Sequence, residues 1–222
     1  MLSKRRYRSR PLRTNVLEGG VKNGGVPTEK SLAEFYRKAQ LIWEQIPPPA
    51  RLQPRDGRIL AKHQDLLLSW EDRIVQGFYD TLFQHPPTQR IFHPGERPIR
   101  EATLRRWWRR TVSGPFNGEY FAWQALVGLV HVKRQVSNAM MAGMWGWMVE
   151  RVSEEARQEL GEQSLPLIQA FSRLAASVSA LIAQSYLDEH LAALARRLAT
   201  SQEKLEEEAR REAGHHLSHI SP

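Results

Sequence analysis

Apolar residues recur every three or four positions along most of the chain, and prolines and glycines cut the pattern into segments. That period puts a stripe on one face of an α-helix. A half-buried strand would need alternation at every second residue instead. Leu32, Phe35, Ala39, Ile42, Trp43 and Ile46 make the first stripe. The prolines at 47–49 end it, because proline lacks an amide donor and restrains its predecessor. A short helix is predicted around 55–66. A stronger one covers 69–84, with Trp70, Ile74, Phe78, Leu82 and Phe83 on one face and a stop at Pro86 and Pro87. Further helices are predicted over 98–113, over the stretch holding His131, over about 138–158, and from about 165 onward. In the last, Leu165, Ile168, Phe171, Leu174, Val178, Leu181 and Ile182 read as core-facing. Leu187, Leu191, Leu194, Leu198 and Leu205 continue in a rough heptad that Ser201 interrupts. No hairpin, βαβ or internal-repeat pattern is present, so the expected fold class is all-α.

The 222 residues suffice for one packed domain with extensions. There are no cysteines, which excludes disulfides, thiolate metal sites and cysteine catalysis and suits a cytoplasmic protein. No run of about 18 uninterrupted apolar residues occurs, so no membrane span is expected. The basic N-terminus has no apolar stretch behind it, against a secretory signal. Residues 1–28 read as a flexible basic arm, since "EGGVKNGGVP" is linker-like.

The net charge of +8 raises nucleic acid as a partner. "KRRYRSRPLR" at 4–13 holds six cations, and "RRWWRR" at 105–110 interleaves cations with aromatics. On a helix, however, Trp107 and Trp108 point about 100° apart. A core-facing Trp107 with solvated arginines is the simpler arrangement, and nucleic acid is not the expected partner. His215, His216 and His219 have a metal-like spacing but no supporting carboxylates. No phosphate loop, HExxH or nucleophile–base pair is declared.

The sharpest feature is "EYFAWQALVGLVHVKRQVSNAMMAGMW" at 119–145. His131 ends an apolar run. Val127 and Gln124 share its face, and Gly128 removes a side chain beside it, leaving clearance for a flat cofactor. A lone helical histidine is ordinarily a satisfied core or surface residue. Here it lies on the helix before two long C-terminal helices, and "VQGFYDTLF" at 75–83 offers an opposite apolar wall.

On "IVQGFYDTLFQHP", "ATLRRWWRRTVSGPFNGEYFAWQALVGLVHVKRQV" and the Gly143 region, the chain resembles the protoglobins and the sensor domains of globin-coupled sensors, over roughly residues 30–190. The resemblance implies a globin-like fold with an extra N-terminal helix and an extended C-terminal helix. The expected domain layout is the arm at 1–28, a haem domain at 29–190, and a charged helical extension and tail at 191–222. The implied cofactor is haem b, with His131 as the proximal iron ligand and Tyr79 as the distal hydrogen-bond donor. Phe78 packs beside Tyr79, Thr103 is a second polar candidate, and Leu104, Trp107, Val127 and Met141 line the pocket. Arg100 faces either a haem propionate or water.

The implied function is reversible binding of O2, and also CO and NO, by a gas sensor or gas-binding protein rather than an enzyme. A homodimer through the last two core helices and an unidentified signalling partner are expected as well. Too few residues follow the last core helix for a catalytic output module. The family's Pro and Trp-Tyr after the histidine are replaced by Asn138 and Met140-Met141, which bears on the relay to a signalling surface and not on the ligand. Three alternatives stay open: a haem-free globin-like signalling module whose pocket is filled by Met140, Met141, Met144, Trp145 and Trp147; a haem enzyme acting on peroxide or nitrogen oxides; and a nucleic-acid binder using the basic arm.

Overall fold

A computed structural model describes residues 29–218. The basic arm and His219 lie outside the described residues. In chain order the helices are α1 (Glu29–Gln45), α2 (Pro54–Lys62), α3 (Gln64–Ser69), α4 (Glu71–Gln84), α5 (Pro86–Gln89), α6 (Arg97–Ser113), α7 (Gly118–Arg134), α8 (Asn138–Leu160), α9 (Leu165–Arg197) and α10 (Gln202–Ser218). No strand occurs among the described residues.

The boundaries follow local chemistry. Pro54, Pro86, Pro98 and Pro166 open their helices, where a missing N–H costs nothing. Asn117 accepts the Tyr120 amide at 3.0 Å and starts α7, and Ser137 accepts the Met140 amide at 3.2 Å and starts α8. Gln135, with φ +57°, closes α7 in the left-handed conformation. The helix predicted over 55–66 is two helices broken at His63, which leaves helical geometry at φ −106°, ψ 17°. The long C-terminal helix breaks at Ala199, with φ +50°. Ser201 is the residue that restarts it, accepting the Lys204 amide at 3.3 Å.

α9 is the axis of the molecule. Leu167, Phe171, Leu174, Val178, Leu181 and Ile182 are all buried along it. Each such side chain contributes about 1.5–3 kcal/mol relative to exposure. Leu165, read as core-facing, is 58% exposed, because the helix has not yet entered the core at its first residue. α7, α8, α2 and α1 pack against α9. The closest approach is at Gly128 of α7, where a Cβ would fall 2.6 Å from the Ile182 carbonyl and 2.9 Å from the Ser185 Cβ. Gly128 therefore clears space for α9 and not for a cofactor, a correction to the sequence reading.

A second correction concerns "RRWWRR". Trp108 is the fully buried ring, donating to the Leu67 carbonyl at 3.1 Å, while Trp107 is only partly buried. The arginines are not simply solvated. Arg109 forks onto Glu71 at 2.5 and 2.7 Å, Arg105 pairs with Asp72, and Arg110 donates to the Gly114 carbonyl at 2.8 Å. Within residues 138–197 an 18-residue window reaches a mean hydropathy of 1.5, enough by length and composition to cross a membrane. Half of it is buried inside the protein, as in a core helix. Counting uninterrupted apolar residues missed it, because scattered serines break the run without lowering the mean far.

Candidate functional site

His131 stands in the last turn of α7. Its Nδ1 lies 2.9 Å from the Val127 carbonyl, one turn back. A carbonyl only accepts, so Nδ1 carries the proton and Nε2 keeps its lone pair. Nε2 has no hydrogen-bond partner among the described residues. Burial pushes the imidazole pKa below its ordinary value, against the raising effect of the Val127 bond, and holds the ring neutral. A neutral imidazole fixed through Nδ1 with a free Nε2 is the form that ligates a metal.

Tyr79 of α4 is a second polar group without a hydrogen-bond partner among the described residues. Its side chain is buried. Burial raises its pKa, so the phenol stays protonated and is a donor at any ordinary pH. Aromatic rings hold it in place. Phe78 meets it edge-on at 5.5 Å and Phe92 at 6.0 Å, and Phe83 stacks on Phe92 at 4.9 Å. Leu104 and Met144 pack on the same cluster. Phe78 also meets Trp147 edge-on at 5.9 Å, and Trp147 crosses so close to Gly77 that a Cβ there would lie 2.9 Å from the ring.

The two groups stand on helices with different packing partners. α7 packs its backbone against α1 and α9, whereas α4 packs against α6 and α8. Phe78, Leu104, Trp107, Val127, Met144 and Trp145, on α4, α6, α7 and α8, are only partly buried. Large apolar groups left half-covered beside a core keep surface that a flat apolar group would cover. Such surface, one free imidazole nitrogen and one unbonded phenol are the chemistry that suits haem.

The remaining predicted residues are placed differently. Thr103 donates its hydroxyl to the Ile99 carbonyl at 2.9 Å and accepts from Arg106 at 3.3 Å, so it is engaged on its own helix. Met141 is 8% exposed and sits in the main core. Arg100 is neither in water nor free, since it pairs with Glu96 at 2.9 Å. Glu96 is also forked by Arg134 at 2.6 and 2.8 Å and accepts the His93 amide at 3.0 Å. The Arg134 bonds outweigh burial and hold the Glu96 carboxyl down at about 2.

Sequence reasoning missed the Glu96–Arg134 pair, Phe92, and the bond from Trp107 Nε1 to Gln124 Oε1 at 3.2 Å. Only Gln124 carried a signal, its place on the His131 face.

The sequence pattern of one known family, Protoglobin, matches residues 50–192, well over half the chain. No curated protein sequence matches it. The match spans α4, α6, α7 and α8, which carry Tyr79, His131 and the half-covered apolar groups, and nearly all of α9. The chain therefore belongs to the protoglobin family, globin-type proteins that bind haem and, with it, diatomic gases.

Proposed function

We propose that the protein holds haem b through His131 and binds O2 reversibly, with CO and NO as competing ligands. The observation that carries this reading is the state of the His131 ring, with Nδ1 on the Val127 carbonyl and Nε2 unpartnered. When bound, haem supplies an iron with an open coordination position for a small gas. Nε2 of His131 would hold that iron, while the Val127 carbonyl fixes the ring's rotation and raises its basicity. Phe78, Leu104, Trp107 and Val127 supply apolar walls that exclude water, with Met141 in the core behind them. Tyr79 donates one hydrogen bond on the gas side. Its free hydroxyl supports that role over Thr103, whose hydroxyl is already used.

The reading extends to assembly. α9 carries Leu187, Leu194 and Leu198 at 44%, 47% and 60% exposure, a stripe a second copy would cover. Gas binding in such a dimer serves sensing through a separate signalling partner, or gas carriage.

The test is reconstitution with haem b. The parent is expected to show an intense Soret band. His131→Ala is expected to shift that band and lose haem faster, with added imidazole restoring the parent spectrum. Identical spectra for parent and variant would remove His131 from the ligand role. A folded parent that takes up no haem would leave the haem-free module as the better reading.

A further inference from the structure

We infer that Gln124 is a positioning residue for the proposed haem site, holding the Trp107 ring beside it and fixing the separation of α6 from α7. The inference rests on the haem reading above.

Gln124 is a fully buried primary amide, a group that costs free energy to bury unless both its ends are bonded. Both ends are bonded to α6. Oε1 accepts the Trp107 indole N–H at 3.2 Å, and Nε2 donates to Thr111 Oγ1 at 3.4 Å. Trp107 and Thr111 are four residues apart, so one side chain of α7 grips two successive turns of α6. Trp107 needs the tie, being only partly buried and otherwise steadied by an edge contact with Trp145 at 5.5 Å.

A second tie stands at the other end of the same gap. Arg134, at the end of α7, forks Glu96, the residue leading into α6. Gln124 precedes His131 by seven residues and Arg134 follows it by three, so His131 lies between the two ties. From Gln124 to Arg134 is about 15 Å along a helix, and from Glu96 to Trp107 about 16 Å. The two helices are therefore antiparallel rails of matched length, bridged at both ends by long side chains and otherwise not closely packed. Arg134–Glu96 is an ion pair at a partly exposed edge. Gln124–Trp107 is the more buried tie, and it sets the helix spacing on the far side of His131 from Arg134.

The test uses the full chain labelled with 15N, in which Trp107→Phe identifies the Trp107 indole N–H among the seven tryptophans. In the haem-free protein, Gln124→Met keeps the length of the side chain but removes both hydrogen-bonding ends. It is expected to move that resonance upfield and speed its exchange with solvent about tenfold, the loss of one buried hydrogen bond. Gln124→Glu keeps an acceptor and is expected to stay near the parent. In the haem-loaded protein, Gln124→Met and Trp107→Phe are each expected to release haem to a scavenger about tenfold faster, and the double variant no faster than either alone.

An unmoved indole resonance in Gln124→Met overturns the inference, as do additive effects in the double variant. Where Gln124→Met does not fold by circular dichroism, the Gln124→Glu and Trp107→Phe pair carries the comparison: a Glu variant with a free indole N–H overturns the inference equally. A parent that binds no haem sinks the haem reading, while the resonance still decides the tie.

Discussion

Val127 settles the tautomer of His131 by offering a carbonyl to one ring nitrogen and so leaving the lone pair of the other unengaged. Burial adds a pH dependence whose sign is fixed. The folded imidazole titrates below 6.5, so as pH falls through 6.5 the unfolded chain takes up a proton that the folded chain refuses. The stability associated with His131 is complete above that pH and is lost below it, down to the lower folded value. Urea unfolding midpoints should fall between about pH 7 and 5, and His131→Gln should flatten that part of the profile. An equal slope in both proteins would place the imidazole in water. Tyr79→Phe deletes one donor worth about 0.5–1.5 kcal/mol, so O2 should leave roughly three- to tenfold faster in stopped-flow measurements. An unchanged off-rate would count against the phenol. The helices that carry His131 and Tyr79 were legible, because their apolar stripes and punctuation are local. Gln124 with Trp107, and Arg134 with Glu96, were not, because pairs 17 and 38 residues apart leave no periodic trace.

Helix positions were legible from stripes and punctuation, but the sides the helices present to one another were not. Gly128 shows the difference. Its lack of a side chain was read as clearance for a cofactor, yet the space belongs to the Ile182 carbonyl of α9. Only the packed structure tells which neighbour fills a gap. Gly128→Ala should therefore destabilise the fold. The gain in helix propensity is about 1 kcal/mol, but a methyl forced against backbone costs about 1–3 kcal/mol, and the neighbour here is not a flexible tip. Urea midpoints of variant and parent compare the two effects directly, and a midpoint equal to the parent's would mean that α7 can slide along α9.

The same helix is clamped at its far end by Glu96. Its carboxyl is held at about 2 in the fold against 4.5 ordinarily. Its contribution is present above 4.5 and lost as pH falls from 4.5 towards 2. Glu96→Gln should lose less stability than the parent across that interval while starting lower at neutral pH, as acid titrations followed by circular dichroism would record.

At the scale of the molecule, the chain puts its longest helix at the centre and then runs that helix out of the core. Through Ile182 the residues of α9 that face inward are buried. From Leu187 onward the leucines keep a heptad-like spacing, but Leu187, Leu194 and Leu198 are exposed while Leu191 and Leu205 are half-buried, and α10 buries no side chain among the described residues. A sequence reading sees one continuous stripe, since the spacing does not change where the core ends; only the surroundings of the helix change. A second copy laid against Leu187, Leu194 and Leu198 would give that stripe the partner its spacing implies. Replacing Leu187 and Leu194 together with Asp should convert a dimer into a monomer in sedimentation velocity at micromolar concentration. The Soret spectrum of the haem-loaded protein should not change, because both side chains are exposed. A spectrum that changed with the association state would tie the proposed haem site to the interface, and a parent that sediments as a monomer at the same concentration would refute the pairing.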